Sequence, residues 1–386
     1  MTMFEDDYFI NIAPMPAAGI GMSRLIARLD GETIRQIDAH IGFSHRGIEK
    51  CTEGAALLQG LVYAEKLNRS APFSCGHAFV LAAERLLDIA VPERASYIRV
   101  ILAETGRILS HLRATANLAA ETGTDSVYPL ANRMTERIYA LLDEICGACP
   151  LCTFVRPGGV KKDVAPQTEE ILSVWLSKEL LPVMGEIEDL LTENRIFKSR
   201  TQGIGCVDAA VATTAGFSGV NLRACGVKRD LRTEEPYEIY GNLSFDVPVK
   251  TEGDCYSRYL LRIFEIYQSM RIIRQALEKI PRGEVILSDF KAEETETLTQ
   301  LSRHFSLYGE GTVLPAGEVY AAVESPLGEF GVFLVSDGGV CPYRCHFRSA
   351  GFPVMQALDA LTAQYDLADV RVIAASLNLI TTEIDR

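Results

Sequence analysis

The feature that most constrains this chain is a long central stretch of helical periodicity. Between about residues 46 and 191, apolar residues recur at i, i+3 and i+4, the spacing that gives a helix one buried face. One such run consists of Met134, Ile138, Leu141, Leu142 and Ile145. Pro166, followed closely by two glutamates, is typical of a helix start, and this helix is expected to end near Thr192. The centre of the chain is therefore predicted to be a bundle of helices.

Strand-like alternation lies on both sides of this helical region. The segments YFINIA, SRLIARLDG and TIRQIDAHIG predict a small antiparallel sheet, with Asp30 and Gly31 at a hairpin turn. After Pro315 the alternation returns in GEVYAAVE, EFGVFLVSD and PYRCHFRS. The predicted fold class is α+β, mainly α, with a central helical bundle and small antiparallel sheets near both ends. We expect one domain over residues 1–386, made of an N-terminal β-sheet region, a helical core and a C-terminal α+β region (1–43, 44–313 and 314–386).

Composition excludes several classes of function. The formal net charge is −13, whereas nucleic-acid binding needs a basic surface. No apolar run reaches the roughly 18 residues that a membrane span requires, and the acidic start MTMFEDDYFI is unlike a basic targeting peptide. The ten cysteines are therefore expected to be reduced thiols of an intracellular protein rather than a disulfide framework.

Three of these cysteines have the spacing of an iron–sulfur ligand run. Cys146, Cys149 and Cys152 match the first three positions of a ferredoxin-type motif, but Arg156 and Pro157 stand where the fourth cysteine and its proline would be. Free cysteine also packs as a small apolar residue, and the run continues an amphipathic helix. From the residues alone, both a cluster site and a sulfur-rich helix end remain open.

Other local motifs for chemistry are missing from the sequence. The six histidines form no metal-spaced pair, and there is no nucleophile elbow, phosphate loop or dinucleotide fingerprint. The chain shows no self-contained active site.

Longer motifs along the whole chain resemble one family. They are LDGE (29–32), HIGFSHRGIEK (40–50), RILSHL (107–112), RPGGV (156–160), LTENRIFKSR (191–200), GFSGV (216–220), GDCYSRYLLR (253–262), PAGEVYAAVESPLGEFGVFLVSDG (315–338) and the final EIDR. On these residues the chain resembles the D subunit of bacterial NADH–quinone oxidoreductase, respiratory complex I. The mitochondrial relative of that protein is the large quinone-site subunit.

This resemblance implies a fold related to the large subunit of [NiFe] hydrogenases. Those enzymes bind nickel and iron through two Cys-x2-Cys pairs, whose positions fall here at Asn68, Ala71, Ile380 and Glu383. Soft transition metals need thiolate ligands, and none of the four positions carries one. Hydrogenase activity is therefore not expected, and the resemblance implies that this chain alone holds no metal.

For complex I, the resemblance implies a quinone-reduction chamber shared with the small subunit that carries the terminal [4Fe-4S] cluster. Other implied partners are the C-like subunit of the same peripheral arm, the membrane subunit of the quinone channel, and quinone itself. The implied location is peripheral, on the cytoplasmic side of the bacterial inner membrane or the matrix side of the mitochondrial one. Because the cluster has its ligands in the partner, the resemblance favours a helix end for the cysteine run.

The family's usual quinone residues are replaced in this chain. Its two N-terminal histidines align with Pro16 and Ile20, its headgroup tyrosine with Arg69, and its aspartate with Glu121. These four positions are the expected quinone chamber. Arg69 and Glu121 are the candidate catalytic pair, since a carboxylate in an apolar chamber needs a partner.

A second group of positions is expected to lie near the partner's cluster. It comprises His45, Arg46, Arg156 and Leu151, which replaces a family histidine linked to redox-coupled protonation. A leucine cannot exchange protons as an imidazole does. Two functions follow: a working subunit of a proton-pumping NADH:quinone oxidoreductase, or a structural paralogue that keeps the assembly interfaces without standard quinone chemistry.

Overall fold

The computed structural model describes residues 8–12, 23–147, 153–291 and 297–386. Within these ranges the protein is mainly helical and has small antiparallel sheets, which confirms the predicted fold class. The strands of the described residues are β1 (Tyr8–Ile12), β2 (Arg24–Asp30), β3 (Thr33–His40), β4 (Val155–Arg156), β5 (Gly159–Val160), β6 (Gly317–Ser325), β7 (Gly328–Ser336) and β8 (Arg344–Arg348). The helices of the same ranges are α1 (Ile48–Glu53), α2 (Leu57–Glu65), α3 (Pro72–Leu87), α4 (Glu93–Glu121), α5 (Val127–Cys146), α6 (Pro166–Val174), α7 (Leu181–Leu191), α8 (Arg195–Thr201), α9 (Ala209–Thr214), α10 (Gly219–Arg223), α11 (Leu231–Glu234), α12 (Cys255–Lys279), α13 (Leu298–Phe305), α14 (Gly351–Gln356), α15 (Leu358–Thr362), α16 (Asp369–Leu377) and α17 (Thr381–Ile384).

The N-terminal sheet forms as the alternation predicts. Strands β1, β2 and β3 pair antiparallel in that order, and Leu25, Ala27 and Leu29 of β2 point into the core at every second position. The hairpin between β2 and β3 turns at Gly31, whose φ of 64° lies in the left-handed region that glycine adopts without strain.

Two long helices form the centre of the bundle. Helix α4 packs against both α5 and α12, and it is buried along most of its length because neighbouring elements surround it. Helices α6 and α7 are joined through a π-helical segment, Trp175–Leu180, so the helix predicted to start at Pro166 runs on to Leu191. A π segment accommodates an extra residue in a helix, and here Trp175 is fully buried.

The C-terminal region returns to the N-terminal sheet and to α4. The amide of Gln364 donates to the carbonyl of Ile34 (3.0 Å) and that of Leu367 donates to the carbonyl of Glu32 (3.0 Å). Helix α16 then packs against α4 and α12. These contacts bring the β2–β3 turn, the end of α4 and the start of α16 together.

A buried group of charged residues connects α4 and α12 to α10, α11 and β6. We call this group the core ion network; its members are Glu104, Arg107, His111, Arg223, Asp230, Arg232, Glu265 and Glu324. Every member has at least one partner of opposite charge or a hydrogen-bonding carboxylate within the network, as buried charges require.

The predicted regions 1–43, 44–313 and 314–386 all contribute to one contiguous hydrophobic core, while the boundaries between them stay a prediction. Over the described ranges, none of the helices combines the length and apolar character needed to cross a membrane.

Candidate functional site

A cavity of about 620 Å³ lies where α4 ends, beside the β2–β3 turn and the start of α16. Its lining combines apolar side chains with four charged ones, and consists of Ile12, Glu32, Glu121, Asp366, Leu367, Ala368, Val370 and Arg371. The volume is in the range of small-molecule sites, which are typically concave and lined by apolar groups with a few polar ones.

The four charged side chains of this cavity are Glu32, Glu121, Asp366 and Arg371, and we call them the cavity charges. Within the described part of the chain, none of them forms an ion pair or a side-chain hydrogen bond. An ionised carboxylate only accepts hydrogen bonds, whereas a guanidinium only donates them. The cavity therefore offers both hydrogen-bonding roles to a ligand next to an apolar surface.

The structure places Glu121 in the cavity but not Arg69. Glu121 is the half-buried last residue of α4, and Arg69 is exposed in the turn between α2 and α3. No ion pair joins these two described residues, so the expected pair is not formed in this structure. The reason is local: the neighbouring Asn68 accepts from the amides of Ser70 (2.9 Å) and Ala71 (3.1 Å), and this turn leaves Arg69 facing outward.

The two other predicted chamber residues, Pro16 and Ile20, lie outside the described residues, as do Leu151, Cys149 and Cys152. Cys146 is the buried last residue of α5, and Gly147 follows it with a φ of 76°. Helix α5 therefore ends at the first cysteine of the run.

The loop that carries His45 and Arg46 is held by the end of the chain. The Asp385 carboxylate accepts from the amides of Gly42 and Ser44, each at 2.8 Å. Nδ1 of His45 lies 2.9 Å from the carbonyl oxygen of Asp385, and Arg46 donates to the carbonyl of Lys66 at 3.0 Å. Backbone amides and a carboxylate thus fix the orientation of this loop.

Arg156 is connected to the C-terminal end of α2 through Thr153. Its Nη1 donates to the Tyr308 hydroxyl (2.9 Å), and its carbonyl accepts from Nη2 of Arg99 (2.8 Å). The Glu65 carboxylate at the end of α2 accepts from the amide of Thr153 (3.0 Å). Arg46 donates to the carbonyl of Lys66, and Nε of Arg156 donates to the carbonyl of Thr153 (2.9 Å), so both arginines are connected to the same helix end.

Two of the four positions that the resemblance aligns with hydrogenase thiolates, Asn68 and Glu383, contact each other in the interior. Nδ2 of Asn68 donates to Glu383 at 2.7 Å, and the Ser349 hydroxyl donates to the same carboxylate at 2.9 Å. Burial raises the pKa of Glu383 above its ordinary value. Within the described ranges, no group of three or more histidine, cysteine or acidic side chains is placed to hold a metal ion.

Sequence reasoning misses three of the cavity charges. Glu32 belongs to the LDGE motif, but nothing in its pattern indicates a site. Asp366 and Arg371 lie in a short segment of mixed polar and apolar residues before and within the first turn of α16, which looks like an ordinary helix start. Only the fold brings these residues beside Glu121.

Similarity to known proteins covers almost the whole chain. The family described as "Respiratory-chain NADH dehydrogenase, 49 Kd subunit" matches residues 121–386. A protein of Acidiphilium cryptum, named as the D subunit of NADH-quinone oxidoreductase, is 42% identical, covering 99% of this chain and 95% of the relative. Proteins of the same name from Caulobacter vibrioides and Brucella melitensis are each 43% identical and cover 98% of this chain, with 96% and 98% of the relative covered. The chain therefore belongs to this family of respiratory-chain NADH dehydrogenase subunits.

Proposed function

We propose that this protein is a peripheral-arm subunit of a proton-pumping NADH:quinone oxidoreductase and that the cavity at Glu121 is its part of the quinone-reduction chamber. The small subunit with the terminal [4Fe-4S] cluster would complete the chamber. The C-like subunit and the membrane subunit of the quinone channel would be its further neighbours. The assembly would place this chain on the cytoplasmic side of the bacterial inner membrane.

The observation that carries the proposal is the position of Glu121 in the cavity. This residue aligns with the family's quinone-site aspartate, and it lines a space of about 620 Å³ together with Ile12. The residues expected to complete the chamber, Pro16 and Ile20, follow Ile12 closely in sequence. Glu121 and the N-terminal segment are far apart along the chain, but both line this cavity. Their proximity supports a single chamber formed by both.

The chemistry of the lining suits a quinone. The headgroup is a flat, neutral ring with two carbonyl acceptors, which gain two hydroxyl donors on reduction. Apolar side chains such as Leu367 and Val370 can pack against the ring, and the cavity charges offer both donors and acceptors to its oxygens. The cavity thus combines a surface for the ring with polar groups for both redox forms of its oxygens.

The test is Glu121→Ala in the assembled complex, measured with a short-chain ubiquinone as acceptor. We expect kcat/KM for the quinone to fall roughly tenfold, which corresponds to losing about 1.4 kcal/mol of interaction. NADH-dependent reduction of hexacyanoferrate, which does not need quinone, normalises for the amount of assembled complex. Glu186→Gln is the control, because Glu186 is an exposed acidic residue of α7 outside the cavity.

Unchanged quinone kinetics in Glu121→Ala would refute the role of this cavity. A normally assembled complex without inhibitor-sensitive NADH:quinone activity would instead support the structural-paralogue function.

A further inference from the structure

Arg371 is the one cation among the described residues that line the cavity. It lies in the first turn of α16, where Val370, Val372 and Ile373 are buried in the core and Arg371 is exposed. The helical period thus sends the apolar neighbours inward and leaves the guanidinium at the cavity.

The nearest acidic residue on the same helix does not neutralise Arg371. Asp369 pairs instead with Arg200, at 3.2 Å, and Arg200 also donates to the carbonyl of Ala368. Across the described part of the chain, the Arg371 side chain has no hydrogen bond or ion pair of its own. Its five N–H donors are therefore available to a ligand in the cavity.

We propose that Arg371 donates a hydrogen bond to a carbonyl oxygen of the quinone headgroup. This inference rests on the proposed quinone function of the cavity. A quinone carbonyl can only accept a hydrogen bond, and ionised carboxylates cannot supply one, so Glu32, Glu121 and Asp366 cannot take this role in their charged form. Among the described lining residues, Arg371 is the group that can.

The same arrangement distinguishes the oxidised from the reduced ligand. Arg371 matches the carbonyl acceptors of the quinone, while the three carboxylates match the hydroxyl donors of the quinol. With three negative charges and one positive charge, the lining disfavours an anionic ligand except beside Arg371. Arg371 thus replaces Arg69, which the structure places outside the cavity, as the polar contact for the headgroup.

The experiment compares Arg371→Ala, Arg371→Gln and Arg371→Lys in the assembled complex, with short-chain ubiquinone as the acceptor. Removing a charged donor should raise the KM for this quinone roughly tenfold in Arg371→Ala, with kcat affected much less. Lysine keeps the charge and should restore most of the affinity, whereas glutamine keeps only a neutral donor and should restore less. Arg274→Ala is the matched control, because Arg274 is an exposed arginine of α12 outside the cavity.

The outcomes separate the inference from the proposed function. A normal KM in Arg371→Ala, together with a lowered kcat/KM in Glu121→Ala, would overturn the role of Arg371 and leave the quinone cavity standing. Normal values in both variants would refute the cavity and with it the inference. If Arg371→Ala does not assemble, the order of Arg371→Lys and Arg371→Gln decides, and equal KM values in these two and in the unmodified complex would overturn the proposal.

Discussion

The charged side chains of the core ion network are paired with one another, whereas the cavity charges have no partner among the described residues. In the network, the Glu104 carboxylate accepts hydrogen bonds from Arg107 (3.2 Å), Arg232 (3.1 Å), the Tyr240 hydroxyl (2.7 Å) and the Ser269 hydroxyl (2.6 Å). In the cavity, no pairing of this kind occurs between the four charged side chains of the described lining. Glu104 and Glu121 both lie on helix α4, so the distance between the two regions is shorter than this helix.

The difference follows from the cost of burying charge. A fully buried carboxylate or guanidinium loses its hydration and persists only when partners compensate it. Glu265 is a second buried carboxylate of the network that has such partners. It accepts from Arg223 (2.7 Å) and lies 2.9 Å from Nε2 of His111. The cavity charges remain in contact with solvent, so they keep their hydration without pairing and stay available to a ligand. Charged side chains that have no partner in the fold are therefore the ones to test for a function.

The largest expected effect comes from breaking the network. Burial alone would raise the pKa of Glu104, but Arg107 and Arg232 outweigh burial and hold the pKa at about 2. Glu104→Ala would leave these two buried guanidinium groups without their shared carboxylate, which should lower the free energy of unfolding by about 3–5 kcal/mol. Denaturant titration of the purified protein measures this change.

The cavity provides the control for that measurement. Glu32→Ala removes an exposed, unpaired carboxylate and should change the free energy of unfolding by less than about 0.5 kcal/mol. Equal destabilisation by the two substitutions would contradict the contrast between a paired core and an unpaired cavity.

A smaller effect is expected from pH. Burial lowers the pKa of His111 from its ordinary value of 6.5 to about 4, and it outweighs the opposing attraction of Glu265. The folded protein thus keeps His111 neutral, while the unfolded chain takes up a proton as the pH falls below about 6.5. The contribution of His111 to the free energy of unfolding is fully present above pH 6.5 and is lost as the pH falls from 6.5 to 4. The loss amounts to about 3 kcal/mol over the whole window.

Denaturant titrations between pH 7 and 5 check this prediction. The free energy of unfolding should decline with falling pH, and His111→Gln should flatten the decline above pH 5, where most carboxylates stay ionised. An identical slope in the variant would show that another group causes the pH dependence.

Much of the fold can be predicted from the sequence because its patterns are local and strong. The alternation of Leu25, Ala27 and Leu29 predicts β2, and the glycine after Asp30 predicts its turn. The core ion network is not predicted, although the family motif RILSHL contains two of its members, Arg107 and His111. Charged residues inside an amphipathic pattern look like a solvated face until the fold buries them.

Part of the candidate site can be predicted, for a comparable reason. Glu121 follows from its alignment with a family position, and the structure places it in the cavity. The same alignment identifies Arg69, but whether Arg69 pairs with Glu121 depends on the direction of its side chain in a turn. An alignment does not give that direction. Arg371 is missed because its place near the end of α4 exists only after α16 has packed against α4.

The smallest expected effect concerns the coupling between Arg69 and Glu121. Because the structure forms no ion pair between these two described residues, Arg69→Ala and Glu121→Ala should act independently. In a double-mutant cycle on kcat/KM for the quinone in the assembled complex, their effects should add to within about 0.5 kcal/mol. If Arg69 and Glu121 formed a buried ion pair, each single substitution would leave one charge without a partner. The double variant would then be less impaired than either single variant. That outcome would mean that assembly turns Arg69 towards Glu121, and Arg371 would then share its role at the headgroup with a second guanidinium.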